Sequence, residues 1–425
     1  MYKECKNCRI CGNSNLVSIL RLGDQYLTGV FPKSKDTVLT KGPLELVKCM
    51  PLGNENVCGL VQLKHSYNLS EMYGDTYGYR SGLNKSMVLH LQNKVTKIEK
   101  IITLKKGDVA IDIGSNDATL LKAYTNKDIE FFGVDPSAEK FRKYYTDNIH
   151  LIPEFFPSAS LSKVLKNKKV KVVTSISMFY DLEEPMKFVK SVCDILDDNG
   201  IWIFEQSYLP TMIATNAYDT VCHEHLEYYC VKQIKWMMDL AGLHIVDIEL
   251  NKINGGSFSV TVAKRTSNCF KENTDLINYF LNKEMVEGYS ELATYELFSK
   301  AIQTQKQKLV LLLSNLKMEG KKVIGYGAST KGNVVLQYCG ITETLLPFIA
   351  DVNEDKFGAY TPGQLIPIIS ESEAKRMSPD YYLVLPWHFR DNFLFREKEY
   401  ITGGGKLIFP LPDIEIIDKE VYADS

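Results

Sequence analysis

Short apolar strands alternate with helical segments twice along this chain, and this alternation constrains the fold more than any other feature of the sequence. The strands of its first occurrence span residues 109–114, 129–135, 170–177 and 200–206, with a helix at 188–196. The strands of its second occurrence span residues 321–329, 346–353, 381–387 and 404–412. Alternation of this kind predicts parallel sheets covered by helices. Residues 243–251 and 255–265 predict an antiparallel pair that closes the edge of the first sheet.

The two alternations divide the chain into three predicted domains. Residues 1–72 form a cysteine-rich module whose short strand-like runs lie between turn residues, which predicts a small β fold. Residues 73–265 hold the first α/β domain, which opens with a Tyr/Gly-rich stretch and an amphipathic pattern at 83–104. Residues 266–425 hold a polar, helix-rich connector and the second α/β domain. The predicted fold class is therefore α/β, with a small β module in front of two Rossmann-like domains.

The charge and hydropathy of the chain weigh against two classes of protein. Lys plus Arg total 50 against 52 Asp plus Glu, whereas a nucleic-acid-binding protein shows a basic excess or a basic stripe. No segment approaches the ~18–20 apolar residues that span a bilayer. The first ten residues have no apolar run behind their charges, so a secretory signal is not expected. We predict a cytoplasmic protein, monomeric or a small homo-oligomer, without nucleic-acid or membrane partners.

Half of the ten cysteines lie within the first 58 residues, which in a cytoplasmic chain favours a metal site over disulfides. Cys8 and Cys11 form a CxxC pair, and Cys49 and Cys58 supply a second pair. Four thiolates suit a structural zinc ion, and a closed four-cysteine site has no open position for catalysis. Cys5 is a competing ligand, and unliganded thiols in a small β module are the alternative.

The first α/β domain opens with IDIGSND at 111–117, between a strand and a helix. Gly114 permits a tight turn and close backbone approach, and the next strand ends in Asp135, placed to bind ribose hydroxyls. Because the loop lacks the later glycines of GxGxxG, it favours S-adenosylmethionine, an adenosine ligand without phosphates, over a dinucleotide. A plain strand–turn–helix connection is the alternative. The candidate cofactor residues are Asp112, Gly114, Ser115, Asn116, Asp117, Asp135, Pro136, and Met178 or Phe179 near the adenine.

The segment YDTVCHEHLEYY at 218–229 concentrates two of the seven histidines with two glutamates and three tyrosines. Such a density of titratable groups suits proton transfer. The two histidines are two residues apart, not four as in the HExxH zinc helix. A different metal site and a solvated loop are the alternatives.

The second α/β domain opens with GYGASTKG at 325–332. Its glycines permit close backbone approach, while Ser329 and Lys331 present donors to an anion. Asp351 lies at the end of the next strand. NAD binding and a plain packing turn compete with anion binding at this loop.

Taken in order, these segments resemble the three-part, zinc-containing nucleotide-sugar C-methyltransferases. The similar segments are CRICG, GLVQL, YGYRSGLN, DIGSND, EQSYLP, DTVCHEHLEYY, NGGSF, GYGASTKG and DVNEDKFG, across nearly the whole chain. Members of that family methylate the carbon next to the ketone of a 4-keto-6-deoxysugar carried on a nucleoside diphosphate. The resemblance implies a zinc module, a class I methyltransferase domain that uses S-adenosylmethionine, and a Rossmann-like domain that helps to hold the nucleotide-sugar.

The resemblance also implies residue roles. The family's general base corresponds to His225, with His223 as the alternative. The family commonly has a tyrosine where this chain has Cys222, so Tyr228 becomes a candidate donor to the enolate, and many members have a histidine where this chain has Asp181. The resemblance implies His225 with Glu224 beside it, and the further candidate catalytic residues are His223, Tyr79, Tyr77 and Tyr228. The candidate substrate-binding residues are Tyr79, Arg80, Asn254, Gly327, Ser329 and Lys331. Trp387 and His388, after a late strand, are candidates for the same cleft, and packing is the equal alternative for them.

Two other functions stay open at the level of the sequence. The GYGASTKG loop is compatible with an NAD-dependent oxidoreductase. The cysteine cluster is compatible with a zinc-anchored nucleic-acid-binding or scaffold protein, although the near-neutral charge weighs against it.

Overall fold

The computed structural model of the protein describes residues 2–53, 55–72 and 79–424, apart from the side chains of Leu69, Ser70 and Asp424. Within these residues the strands form sheets of two, four, seven and six strands. The predicted α/β class is confirmed, and the domain boundaries at residues 72 and 265 stay predictions. No helix in the described ranges is both long enough and apolar enough to cross a membrane.

A long antiparallel hairpin dominates the N-terminal module. Its elements are β1 (Lys3–Glu4), β2 (Leu16–Tyr26), β3 (Lys41–Cys49), β4 (Val61–Leu63), β5 (His65–Ser66) and helix α1 (Leu69–Met72). β2 and β3 pair along their length and bury Leu20 and Leu22 from one strand against Leu44 and Leu46 from the other. Gly23 adopts φ +80° where the register of the pair shifts, a bulge conformation that glycine takes without strain.

The middle of the chain forms a seven-stranded, mostly parallel sheet. Its strands, in chain order, are β6 (Val109–Ile113), β7 (Glu130–Val134), β8 (Ile149–Ile152), β9 (Val170–Ile176), β10 (Leu196–Ser207), β12 (Leu243–Asn251) and β13 (Ser257–Lys264), while β11 (Glu227–Tyr228) joins the N-terminal sheet. The order across the sheet is β12-β13-β10-β9-β6-β7-β8, with β13 antiparallel to both neighbours as predicted. Because β7 and β9 flank β6 on opposite sides, a crevice opens beyond the carboxyl ends of these strands.

Helices cover both faces of this sheet. They are α2 (Lys85–Ile101), α3 (Thr119–Lys122), α4 (Ala159–Leu165), α5 (Pro185–Ile195) and α7 (Val231–Ala241), while the buried residues of α6 (Leu209–Ala214) pack with the N-terminal module and the C-terminal domain. The amphipathic pattern predicted at 83–104 is α2, which begins after Asn84 because the Asn84 side chain accepts hydrogen bonds from Ser86 N and Met87 N. Leu91 and Ile98 lie on its buried face.

Two connector helices, α8 (Thr274–Val286) and α9 (Leu292–Met318), lead to the second Rossmann-like sheet. Its strands are β14 (Val323–Tyr326), β15 (Ile349–Asp351), β16 (Ile368–Ser370), β17 (Tyr381–Val384), β18 (Lys406–Phe409) and β19 (Glu415–Ile417). Its helices are α10 (Thr330–Cys339), α11 (Glu371–Arg376), α12 (Arg390–Arg396), α13 (Lys398–Thr402) and α14 (Lys419–Asp424). The order is β16-β15-β14-β17-β18-β19. In this sheet too, the strand order changes direction at the first strand, β14, which has β15 on one side and β17 on the other.

Candidate functional site

Four cysteines of the N-terminal module converge at one point. The Sγ atoms of Cys8, Cys11, Cys49 and Cys58 all lie within 4.8 Å of one another. Cys8 Sγ is 3.4 Å from Cys58 Sγ, and Cys11 Sγ is 3.6 Å from Cys49 Sγ. Zinc–sulfur bonds of about 2.3 Å place tetrahedral ligands about 3.8 Å apart, so the cluster fits a structural zinc ion. Cys5 lies elsewhere, with its Sγ 3.1 Å from the carbonyl oxygen of Asn7.

A first cavity, of about 320 Å³, opens at the carboxyl ends of β6, β7 and β9. Gly114, directly after β6, has φ +78°, and a Cβ there would lie 3.0 Å from Met178 Cγ, so both the turn and the close approach require glycine. The predicted cofactor residues that line this cavity are Asp112, Gly114, Ser115, Asn116, Asp135, Pro136 and Met178.

Two carboxylates stand at the floor of the first cavity. Asp112 accepts a hydrogen bond from Thr174 Oγ1 at 2.6 Å, and burial raises the pKa of Asp112 to about 7. Asp135 Oδ1 accepts from the backbone nitrogen and the hydroxyl of Ser137, both at 2.7 Å, and its Oδ2 accepts from Asn116 N at 2.8 Å. A carboxylate oxygen has two acceptor positions, so Asp135 Oδ2 keeps one for a ligand hydroxyl.

The structure places two of the predicted cofactor residues off this cavity. Asp117 accepts from Gly82 N at 3.0 Å and borders a separate neighbouring cavity. Phe179 is fully buried and packs against Trp202 and Tyr229.

Sequence reasoning missed the aromatic wall of the first cavity. Phe155, Phe156 and Pro157 follow β8 and line the cavity. β8 itself was not predicted, and a pair of adjacent phenylalanines gave no other signal. Among the described residues, Lys187 on α5 is the one lysine or arginine that lines this cavity.

A second cavity, of about 540 Å³, lies where the carboxyl edges of the two Rossmann-like sheets meet. The ends of β14, β15 and β17 contribute Gly327, Asp351 and Pro386, and the segment after β9 contributes Ser177 and Tyr180. Its cationic residues are Arg80, Lys85, Lys331, Lys356 and Arg396. Lys356 and Arg396 were not predicted: Lys356 lies in the DVNEDKFG segment but was given no role, and Arg396 lies in none of the named segments.

His225 lines the second cavity in a defined tautomer. Its Nδ1 lies 2.8 Å from the carbonyl oxygen of Thr220, which can only accept, so Nδ1 carries the ring proton and Nε2 is the lone-pair nitrogen. Burial, and then the nearby Lys331 ammonium, lower the pKa of His225 to about 3. The ring also packs against Tyr180, with centroids 4.2 Å apart. His225 is therefore neutral near neutral pH, and its lone pair is on Nε2.

Glu224 lines the same cavity beside a segment of the N-terminal module. Its Oε2 accepts from Thr28 Oγ1 at 3.4 Å, and burial raises the pKa of its carboxyl group. A Cβ on Gly29 would lie 2.5 Å from Glu224 Oε1, so a glycine is needed for this approach. The predicted substrate residues that line this cavity are Tyr79, Arg80, Asn254, Gly327, Ser329 and Lys331.

Four predicted residues are placed away from the second cavity, and a fifth lies outside the described residues. His223 is fully buried, with its ring against Tyr67. Tyr228 is buried, and its hydroxyl donates to Thr220 O at 3.4 Å. Trp387 Nε1 donates to the buried Asp219 at 2.8 Å. His388 does not line the second cavity, although Pro386 and Phe389, on either side of the Trp387–His388 pair, do. Tyr77 lies in the stretch that the structure does not describe.

A chain of hydrogen bonds joins the two sheets across the second cavity. Lys331 Nζ donates to the backbone oxygen of Asn254 at 2.6 Å. Asn254, in the left-handed region at φ +54°, donates from Nδ2 to Ser177 Oγ at 3.2 Å. Ser329 caps α10 by accepting from Gly332 N at 3.0 Å. The loop that holds Lys331 is thereby fixed relative to the end of β9.

The two cavities share a wall. Tyr79, Ser177 and Asp181 line both of them. A group bound in one cavity therefore lies within side-chain reach of a group bound in the other. Such an arrangement suits transfer of a small group between two ligands.

Three family models match the chain in succession. A zinc binding domain matches residues 8–73, a methyltransferase domain matches residues 89–248, and a C-methyltransferase C-terminal domain matches residues 252–412. The C-methyltransferase NovU of Streptomyces niveus is 27% identical over 423 residues, which cover 99% of each chain.

Two solved structures each match about two fifths of the chain. A methyltransferase of Clostridium acetobutylicum that depends on S-adenosylmethionine is 12% identical, with TM-score 0.33, over 42% of this chain and 92% of that one. The mitomycin 7-O-methyltransferase MmcR is 13% identical, with TM-score 0.32, over 41% of this chain and 53% of that one. The assignment below rests on the family models and the full-length relative.

The fold and these matches define a methyltransferase that uses S-adenosylmethionine. The first cavity lies beside β6, where the strand order of the seven-stranded sheet changes direction. The chain belongs to the C-methyltransferases that join a zinc binding domain, a methyltransferase domain and a C-methyltransferase C-terminal domain. The resemblance drawn from the sequence is confirmed, and so are the predicted cofactor and the structural zinc.

Proposed function

We propose that the protein methylates the carbon next to the ketone of a 4-keto-deoxysugar carried on a nucleoside diphosphate. The observation that carries this proposal is the second cavity, which is lined by a neutral histidine and five lysines or arginines and which shares a wall with the first cavity. The ketone acidifies the adjacent C–H bond, so a base can remove that proton to give an enolate. When bound, S-adenosylmethionine supplies an electrophilic methyl group for the enolate carbon.

His225 is the proposed general base. Its Nε2 takes the proton from the sugar carbon, while Thr220 O holds the opposite side of the ring and supports the positive charge that develops there. His223 has no access to the cavity, so it is the weaker candidate. Glu224, whose carboxyl group burial keeps protonated to higher pH than usual, is a proposed donor to the keto or enolate oxygen.

Tyr79 is the proposed tyrosine at the junction of the two ligands. It lines both cavities, whereas the hydroxyl of Tyr228 is used by Thr220. Asp181 stands on the same shared wall, where a carboxylate can accept a hydrogen bond from a sugar hydroxyl.

The cationic end of the second cavity is the proposed site of the diphosphate. α10 begins there with Ser329 as its cap, and the N-terminus of a helix favours anions. Lys331, Lys356 and Arg396 add positive charge around it. We propose that Asp112 and Asp135 contact the cofactor in the first cavity, with Asp135 on the ribose and Met178 beside the adenine.

The test is a methylation assay with a panel of substrates. The purified protein is incubated with S-adenosylmethionine that carries a ¹³C-labelled methyl group and with dTDP-, CDP- or GDP-linked 4-keto-deoxysugars. We expect a mass gain of one methyl group on one of them, and an NMR chemical shift of the labelled methyl carbon typical of a methyl group bonded to carbon and not to oxygen or nitrogen. Methyl transfer to oxygen or nitrogen, or no transfer to any nucleotide-sugar, would contradict the proposal.

A thermal-shift measurement separates this proposal from the oxidoreductase that the GYGASTKG loop also allows. A ligand that binds the folded state raises the melting temperature. We expect S-adenosylmethionine to do so and NADH not to.

A further inference from the structure

The segment that carries His225 is part of the sheet of the N-terminal module. β11, two residues beyond His225, pairs antiparallel with β4, and Leu63 N donates to Leu226 O at 2.8 Å. β4 in turn pairs with β3, which ends at Cys49, and Cys58 lies just before β4. One continuous sheet therefore runs from two zinc ligands to the strand that follows the proposed base.

A buried arginine reinforces this connection. Arg9 lies between Cys8 and Cys11, and its side chain is only 2% exposed. Its Nη1 donates to Leu63 O at 2.6 Å, and its Nη2 donates to Ser66 Oγ at 2.9 Å. Its backbone nitrogen donates to Gln62 Oε1 at 2.9 Å. The guanidinium is thus fixed in place on β4 and β5, beside the zinc ligands.

The charged partner of Arg9 is on β11. Arg9 Nε lies 3.7 Å from Oε1 of Glu227, whose side chain is fully buried. Among the described residues, neither oxygen of this carboxylate has a hydrogen bond. Burial raises the pKa of Glu227, and the nearby Arg9 guanidinium opposes this shift, so the carboxylate form of Glu227 depends on its contact with Arg9.

Glu227 is also tied to the other side of His225. Its backbone nitrogen donates to Tyr180 O at 3.1 Å, and the Tyr180 ring packs against His225. A displacement of Glu227 would therefore move both the strand after His225 and the ring that supports it.

We propose that Arg9 and Glu227 are positioning residues, through which the zinc-binding module sets the orientation of His225. The inference rests on the proposed role of His225 as the base. Misplacing a catalytic group by about 1 Å can cost on the order of 100-fold in rate. The ion pair would then govern turnover while leaving the cofactor cavity unchanged, because neither residue lines that cavity.

The test compares Arg9→Met/Glu227→Leu, Glu227→Gln and a control pair, Arg21→Met/Glu45→Leu. The double variant removes both buried charges together, so no unpaired charge is left in the core. The control removes a second ion pair of the same module, Arg21 Nε to Glu45 Oε1 at 3.2 Å, where Arg21 is 72% exposed.

Four quantities are measured for each variant: zinc per chain, affinity for S-adenosylmethionine, kcat and KM with the sugar, and the ¹⁵N signals of His225. His225→Asn assigns those signals. For the double variant we expect one zinc per chain, cofactor affinity within about twofold, a kcat lower by roughly 10- to 100-fold and shifted His225 signals. Glu227→Gln, which leaves the zinc module intact, should shift the same signals, and the control should shift none.

Unchanged His225 signals in Glu227→Gln would overturn the inference, whether or not the double variant folds. Equal losses of kcat and of cofactor affinity would also overturn it, because they indicate general unfolding. The proposed function fails separately: if His225→Asn retains full turnover, His225 is not the base, whatever the ion pair does to its signals.

Discussion

The two Rossmann-like sheets of this protein build their ligand edge in the same way. Gly114 after β6 and Gly327 after β14 both have positive φ, +78° and +84°. Asp135 directly follows β7 and Asp351 ends β15. Each accepts a hydrogen bond from the glycine loop, at 2.8 Å from Asn116 N and 2.7 Å from Ala328 N. The backbone of the two sites is therefore a repeated construction.

The side chains around the two loops differ in charge. Five carboxylates and one lysine line the first cavity, whereas five lysines or arginines and four carboxylates line the second. S-adenosylmethionine carries a sulfonium and an ammonium group, and a nucleotide-sugar carries a negative diphosphate. The difference in charge supports the proposal that the first cavity binds the cofactor and the second binds the nucleotide-sugar, with the side chains and not the backbone selecting the ligand.

The helix that follows each loop adds to the difference. α3 is four residues long and starts after Ala118, which is in the left-handed region. α10 is ten residues long and is capped by Ser329, with Lys331 in its first turn. Only the second loop therefore presents a full helix N-terminus to an anion.

The sharpest way to separate the two sites is to remove the proposed base, which lies only in the second cavity. We expect His225→Asn to lower kcat by ~10²–10⁴-fold and to abolish solvent exchange of the proton next to the ketone. Affinity for S-adenosylmethionine should stay unchanged, as measured by calorimetry. His150→Asn, at an exposed histidine on β8, is the matched control. Wild-type proton exchange in His225→Asn would mean that another group is the base.

Removal of one cation should weaken binding of the nucleotide-sugar and leave binding of the cofactor unchanged. Lys331→Met removes a donor beside the start of α10, and a hydrogen bond to a charged group contributes about 1.5–3 kcal/mol. We therefore expect KM for the nucleotide-sugar to rise by roughly 10- to 150-fold, with no change in cofactor affinity. Lys308→Met, at an exposed lysine of α9, should leave both constants unchanged. Equal losses of affinity for the nucleotide-sugar and for S-adenosylmethionine would contradict the placement of Lys331 in the second site alone.

The paired aspartates allow a reciprocal test. Asp135→Ala should weaken S-adenosylmethionine binding by about 1–3 kcal/mol and leave the sugar unaffected, since a charge-assisted hydrogen bond to the ribose is lost. Asp351→Ala should weaken binding of the nucleotide-sugar and leave binding of the cofactor unchanged. An unchanged dissociation constant in Asp135→Ala would remove Asp135 from the cofactor site.

The smallest expected effect is a pH dependence confined to the first cavity. Burial raises the pKa of Asp112 to about 7, above its usual value near 4, so its contribution to the free energy of unfolding is present below about pH 4 and is lost as the pH rises through about 7. Its carboxylate form, which can pair with the cofactor's ammonium group, appears over the same range. We expect affinity for S-adenosylmethionine to rise by up to ~10-fold between pH 6 and 8. Asp112→Asn should show a flat profile, and a slope retained in that variant would assign the dependence elsewhere.

The main strands and both glycine loops were predictable, because long apolar runs and glycines at turns are local signals. The short edge strands β8, β16 and β19 were not, since three or four residues carry no period. β11 was missed because its partner, β4, lies more than 160 residues earlier in the chain.

Within the candidate site, the sequence identified segments better than side-chain directions. Met178 and Phe179 are adjacent, yet only Met178 lines the cavity while Phe179 enters the core. In the same way, His223 is buried in the core whereas His225 lines the second cavity. The segment has no regular helix or strand there, so the direction of each side chain depends on the neighbouring module. Lys356 comes from a separate part of the chain, and only tertiary structure brings it to Lys331.

The most direct test of this account is a crystal structure of the protein with S-adenosylhomocysteine and a nucleoside diphosphate bound together. We predict S-adenosylhomocysteine against Asp135 and Met178 in the first cavity, and the diphosphate against Lys331 and the start of α10 in the second. The sulfur should lie near the wall formed by Tyr79, Ser177 and Asp181. A nucleoside diphosphate bound in the first cavity, or bound where it has no access to that wall, would contradict the account.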